Sequence, residues 1–173
     1  VIKSAPAADV TDPKALEATK LETLRGAKET LRLMAATEQV DTTKTDMAKT
    51  LIAEYIVLET EQPKKVEGQR ILGDIYRVVG DSDNAIVEYK KVLEIEPNDP
   101  DALAGLGLSL VNLGYINNDK TKFQEGSNFL QKYIDTAPTG HKYVDDAKGL
   151  IATLKKEQSV APQKTTGGGK KKN

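Results

Sequence analysis

Leu72-Gly73-Asp74-Ile75-Tyr76-Arg77-Val78-Val79-Gly80, followed by Ala85, Tyr89 and Pro97, is the stretch on which the fold turns. Leu72, Ile75, Tyr76 and Val79 keep a helical period from about Val66, and Gly80 closes it. Asp81-Ser82-Asp83-Asn84 then offers capping side chains for a helix over 85–94, which Pro97-Asn98-Asp99-Pro100 breaks. The pattern predicts two short helices joined by a tight turn. Gly73 and Ala85 are small where the pair would cross, and Tyr76 and Tyr89 are bulky enough to fill the space toward a following pair.

The unit recurs. Leu103, Leu106-Gly107, Leu110 and Gly114 stand 34 positions after Gln69, Leu72-Gly73, Tyr76 and Gly80. The small residue that should follow at 119 is instead Gly126, after which Leu130, Tyr133 and Pro138 match Tyr89, Val92 and Pro97. Seven extra residues are thus inserted, and the reading places them in an extended inter-helix turn over 115–125. Upstream, Tyr55, Leu58 and Pro63 lie 34 before Tyr89, Val92 and Pro97, so 47–63 reads as the second helix of a preceding pair.

A 34-residue period with these offsets resembles the tetratricopeptide repeat (TPR) family. The resemblance covers about residues 15–157, although Gln69 and Leu103 stand where the family customarily has tryptophan. It implies an all-α, helical-hairpin solenoid of about seven helices with flexible N- and C-terminal tails. The expected division is an extended N-terminal arm over 1–13, a repeat domain over 14–158 and a basic Gly/Lys tail over 159–173. Within the domain we expect a divergent repeat at 15–63, clear repeats at 66–99 and 100–138, and a closing helix at 141–157. Three or more units with atypical ends are what a stable stack needs.

Leu21, Leu24, Leu31 and Met34, with Ala27 and Ala35, make one stripe of a first helix. Thr37 to Asp46 reads as a loop, with Asp46 as cap of a second helix carrying Met47, Leu51, Tyr55 and Leu58 on its apolar face. Val144, Ala147, Ile151 and Leu154 mark the last helix. No segment alternates as a strand would.

Composition removes most chemistry. The chain of 173 residues is long enough to bury a core without disulfides or a structural metal. It has no Cys, no Trp and one His, His141, which excludes thiol nucleophiles, iron–sulfur clusters and any site needing two histidines. Gly105-Leu106-Gly107-Leu108-Ser109-Leu110 lacks the third glycine and the preceding strand of a dinucleotide fingerprint. Gly169-Lys170 opens no helix, and Asp81-Ser82-Asp83-Asn84 fails the calcium-loop pattern at Ile86 and Val92. His141 and the pair Asp145-Asp146 are the remaining polar candidates; the two aspartates suit the first turn of a helix without further purpose. The reading is therefore non-enzymatic, with no catalytic residue, no cofactor and no metal.

Charge is divided along the chain. Lys+Arg and Asp+Glu nearly cancel at −1, but residues 159–173 contain four lysines and no acid, leaving −5 on residues 1–158. Such a body disfavours a nucleic-acid backbone. The tail lysines Lys170, Lys171 and Lys172 could meet an anionic surface. No apolar run is long enough to span a membrane. The small, Pro-containing start Val1 to Ala8 reads as a mature terminus behind a removed leader, which leans toward export to the periplasm or another non-cytoplasmic compartment.

The resemblance also implies a concave, partner-binding groove lined by the first helix of each repeat. Its residues here would be Arg70, Asp74 and Arg77, then Ala104, Leu108, Val111 and Asn112. Asp74 and Leu108 stand where members that clamp a terminal carboxylate have asparagine, which disfavours a chaperone-tail receptor. A charged wall beside an apolar floor suits a protein segment with one apolar side. The expected function is a protein–protein interaction scaffold, a structural or assembly subunit of a larger complex, with partners that include further copies of itself. The alternatives are a transient peptide-binding adaptor and tail-mediated association with an anionic surface.

Overall fold

In the computed structural model, residues 12–37 and 42–163 are described, Thr42 by its backbone alone. Among them are seven α-helices and one 3-10 turn, and no strand. The helices are α1 (Pro13–Ala36), α2 (Thr45–Leu58), α3 (Gln62–Val78), α4 (Ser82–Ile95), α5 (Pro100–Asn117), α6 (Lys120–Thr136) and α7 (Val144–Gln158). The chain divides into two compact units after Ile95.

In the first unit α1 packs on α2 and α3, and α3 on α4. Asp12 caps α1 by accepting from the Lys14 N–H at 3.0 Å, and Pro13 opens the helix, so the expected arm ends one residue early. Residues 1–11 lie outside the described residues. Ala35, Ala48, Ile52, Ile71, Leu72 and Ile75 make a core shared by α1, α2 and α3, with Leu31, Ile56 and Tyr76 packed at its edge. Tyr76 therefore faces back toward α2, where the Lys49 ammonium lies 5.3 Å from its ring, and not forward as the spacing suggested.

Two helix starts also differ from expectation. Asp46 sits inside the first turn of α2, paired with Lys49 at 2.8 Å, and Thr42–Lys44 forms the 3-10 turn before it. The buried stripe of α2 is Ala48, Ile52 and Tyr55, while Met47 is 63% exposed. Pro63 lies in the first turn of α3, where the missing N–H costs no helical bond, so it opens that helix and does not end the previous one. At the other end Gly80, at φ +84°, closes α3: its N–H bonds Arg77 C=O and the Asp81 N–H bonds Tyr76 C=O.

The α3–α4 crossing is closed by Tyr89 on Gly73. A Cβ at Gly73 would stand 2.9 Å from the Tyr89 ring, and the Tyr89 hydroxyl donates to Asp74 at 2.6 Å. Tyr89 thus fills the interface inside its own helix pair, where the sequence reading sent it to the next. The same device recurs in the second unit, where a Cβ at Gly107 would lie 2.7 Å from Leu130, the residue that matches Tyr89.

The second unit, from Glu96, packs α5 on α6 and α6 on α7. Its largest departure from expectation is at 115–125, which is not an extended turn. Helix α5 runs to Asn117, five positions past Asn112, the match of Val78. Helix α6 starts at Lys120, three positions before Phe123, the match of Ser82. The linker is one residue shorter than between α3 and α4, so the net insertion is seven residues, about two helical turns, and lengthening both helices keeps every face in register. Asn118, in the left-handed region at φ 50°, ends α5, and the Asp119 carboxylate caps α6 by accepting from the Thr121 and Lys122 N–H groups.

Candidate functional site

Each unit presents one of the helix faces singled out by the sequence. On α3, Arg70, Asp74 and Arg77 follow helical spacing and are half-buried. Asp74 is engaged by the Tyr89 hydroxyl, so its position is fixed by the helix crossing beneath it. Burial pushes that phenol well above its ordinary pKa, the Asp74 carboxylate adds to the rise, and Arg77 opposes it. Nearby, Gln69 donates to Glu88, which also pairs with Lys91 at 3.0 Å. This face is polar and held from below.

On α5 the predicted residues divide. Leu108 is half-buried and Asn112 exposed, whereas Ala104 and Val111 are 2% and 3% exposed. Val111 packs where a Cβ on Gly126 would stand, 2.7 Å from its Cγ2, so its side chain belongs to the α5–α6 crossing. The accessible face continues instead to residues the sequence reading had placed in a turn. Tyr115 and Ile116 are 45% and 64% exposed and fall on the side of Leu108 and Asn112. Tyr115 is steadied edge-on by Phe123, centroid to centroid 4.8 Å. Their signal was present in the spacing 108–112–115/116 and was lost once the helix was ended at Gly114.

The other candidates have structural partners. His141 Nδ1 and the Tyr133 hydroxyl are 2.6 Å apart, and its Nε2 is 3.6 Å from Asp101, so the histidine ties α5, α6 and the turn before α7. Burial raises the Tyr133 pKa, so the phenol keeps its proton at neutral pH. Replacing His141 with Ala costs about 1 kcal/mol, because the buried hydroxyl keeps the Tyr143 backbone N–H as a partner, while Tyr133→Phe leaves both that N–H and the His141 ring nitrogen without the hydroxyl and costs more. Thermal denaturation of the two variants checks the order. Asp145 pairs with Lys148 at 3.1 Å in the exposed first turn of α7, with Asp146 beside it. Lys170, Lys171 and Lys172 lie outside the described residues.

Among the described residues no three His, Asp or Glu side chains converge as a metal ion would require. No described helix is long and apolar enough to cross a membrane.

Residues 73–114 match the family model for the TPR repeat. The match begins at Gly73 in α3 and ends at Gly114 in α5, the two glycines that sit against Tyr89 and Phe123. No curated protein and no solved structure gives a significant match. The chain carries a tetratricopeptide repeat at 73–114 within an all-α fold. Such repeats are usually non-enzymatic and imply protein partners.

Proposed function

We propose that this protein is a non-enzymatic scaffold, an assembly subunit that presents two helix faces, one in each unit, to protein partners. The first is the polar face of α3 at Arg70, Asp74 and Arg77. The second is the face of α5 at Leu108, Asn112, Tyr115 and Ile116. One observation carries the reading: Ile116 and Tyr115 are large apolar side chains left exposed on a helix otherwise buried on nearly every side. Exposed apolar surface beside a polar group is the arrangement that a protein interface covers.

The test is purification of the complex from the native source with the parent chain and with Asn112→Arg/Ile116→Asp. Both positions are exposed, and helical circular dichroism checks that the variant is folded. The proposal expects a stoichiometric partner with the parent and at least tenfold weaker retention with the variant. Equal retention of the same partner by both chains refutes the assignment of this face.

A further inference from the structure

Helix α7 ends at Ser159, whose left-handed φ of 56° turns the chain back, and Val160 follows at 1% exposure. The next residues lie along α6. Gln124 Nε2 donates to the Ala161 carbonyl at 2.7 Å, and Asn128 Oδ1 accepts from the Gln163 N–H at 2.8 Å. Gln124 also donates to Asn128 Oδ1 at 3.0 Å, which orients the second amide.

The spacing of these contacts has a simple origin. Four residues of helix rise about 6 Å, and two residues of extended chain advance about 6.6 Å. In an extended chain the carbonyl of one residue and the N–H two residues on point to the same side. Gln124 and Asn128 therefore read one backbone edge, independent of side-chain identity. Pro162, between the two contacts, has no N–H to satisfy. Selectivity falls to the side chain at Val160, buried where its N–H donates to the Leu154 carbonyl of α7 at 3.2 Å. Beside Pro162 and Gln163 a cleft of about 710 Å³ is bordered by Asn128, Gln131, Lys132, Asp135 and Thr136 of α6.

The geometry points to a peptide-binding site along α6 and the end of α7, occupied in cis by Val160–Gln163 and able to exchange it for an extended partner segment. The segment it takes has a branched aliphatic residue followed two positions later by proline. The site uses residues other than those of the α3 and α5 faces, and it gives the scaffold a third, self-masked contact. A tethered occupant competes at high effective concentration, so the parent chain binds an external segment weakly.

The experiment uses the full chain and a labelled peptide with the sequence of residues 159–166. Val160→Asp removes the cis anchor; the expected result is peptide binding at least tenfold tighter than to the parent, read by fluorescence anisotropy. Adding Gln124→Ala and Asn128→Ala to that chain returns the affinity to the parent level. No tightening with Val160→Asp, or tightening that survives loss of both amides, overturns the site. Should Val160→Asp unfold the chain, amide exchange in the parent decides: saturating peptide speeds exchange of the Gln163 N–H at least tenfold if the strap is displaced, and an unchanged rate overturns the proposal.

Discussion

Adding a single methyl group at Gly126 is expected to destabilise the protein by about 3 kcal/mol, the upper end of what overpacking costs. The magnitude follows from what the methyl would meet. A Cβ there stands 2.8 Å from the Gly107 carbonyl oxygen, 3.1 Å from the Val111 nitrogen and 2.7 Å from Val111 Cγ2. Two of these three neighbours are backbone of α5 and cannot rotate away; the helices must separate. At Gly73 the nearest atoms belong to the Tyr89 ring, at 2.9 Å, so Gly73→Ala should cost less because a side chain can give. At Gly26, exposed on α1, nothing lies within 4 Å. There the same substitution removes glycine's conformational freedom in the unfolded chain and should stabilise by about 0.5–1 kcal/mol. Urea denaturation of Gly126→Ala, Gly73→Ala and Gly26→Ala therefore orders one chemical change from loss to gain. Equal midpoints for the first and last would mean that the α5–α6 crossing is looser than the geometry states.

That crossing also shows what a linear sequence can convey. Gly107 and Gly126 were readable as small residues at repeat positions, because close helix approach demands them whatever surrounds the pair. The placement of the seven inserted residues was not. An insertion of about two helical turns leaves the periodicity unbroken on both sides, so the pattern fits a long turn and two longer helices equally well. Asn118-Asp119 held the distinguishing chemistry, a residue type that tolerates the left-handed region followed by a helix cap. The cost of missing it was functional, since Tyr115 and Ile116 were assigned to a turn and dropped from the face they extend. Side-chain direction was the other gap. Tyr76 and Tyr89 are both tyrosines of helix pairs, yet one edges the α1–α2–α3 core and the other closes its own crossing on Gly73. Spacing gives the face of a helix, but which neighbour covers that face is a tertiary property. The α6 strap was invisible for the same reason, as Gln124 and Asn128 acquire meaning only beside Ala161 and Gln163.

Glu59→Gln is expected to destabilise the first unit by about 2–3 kcal/mol at neutral pH, and the deficit should vanish on acidification. Glu59 links α2 to α3 and is fully buried. Arg25 of α1 grips both carboxylate oxygens, at 3.1 and 3.2 Å, and the Thr60 and Glu61 N–H groups donate at 2.9 and 3.1 Å. The Arg25 hydrogen bonds hold the carboxyl down to about 2, assisted by the two backbone donors and opposed by burial. Losing one partner of a fully buried pair costs about 3–5 kcal/mol. The Arg25 side chain keeps about a third of its surface in water, and that solvation reduces the loss. A carboxyl depressed in the folded state stabilises fully above its ordinary range near 4.5, and the contribution fades as pH falls toward 2. The parent should therefore lose stability steadily from about pH 5 to pH 2 while Glu59→Gln changes less, so their denaturation curves converge. On the alkaline side Tyr55, pushed up to about 12 chiefly by burial, works in the opposite sense: it favours folding below pH 10 and loses its effect as pH rises toward 12. Glu59→Gln should show a smaller alkaline loss than the parent, since after burial of the ring the Glu59 charge and the Glu59 hydrogen bond are the next causes that raise the phenol, and both go with the carboxylate. Curves that stay parallel between pH 5 and pH 2 would show that the Arg25–Glu59 pair does not anchor α1.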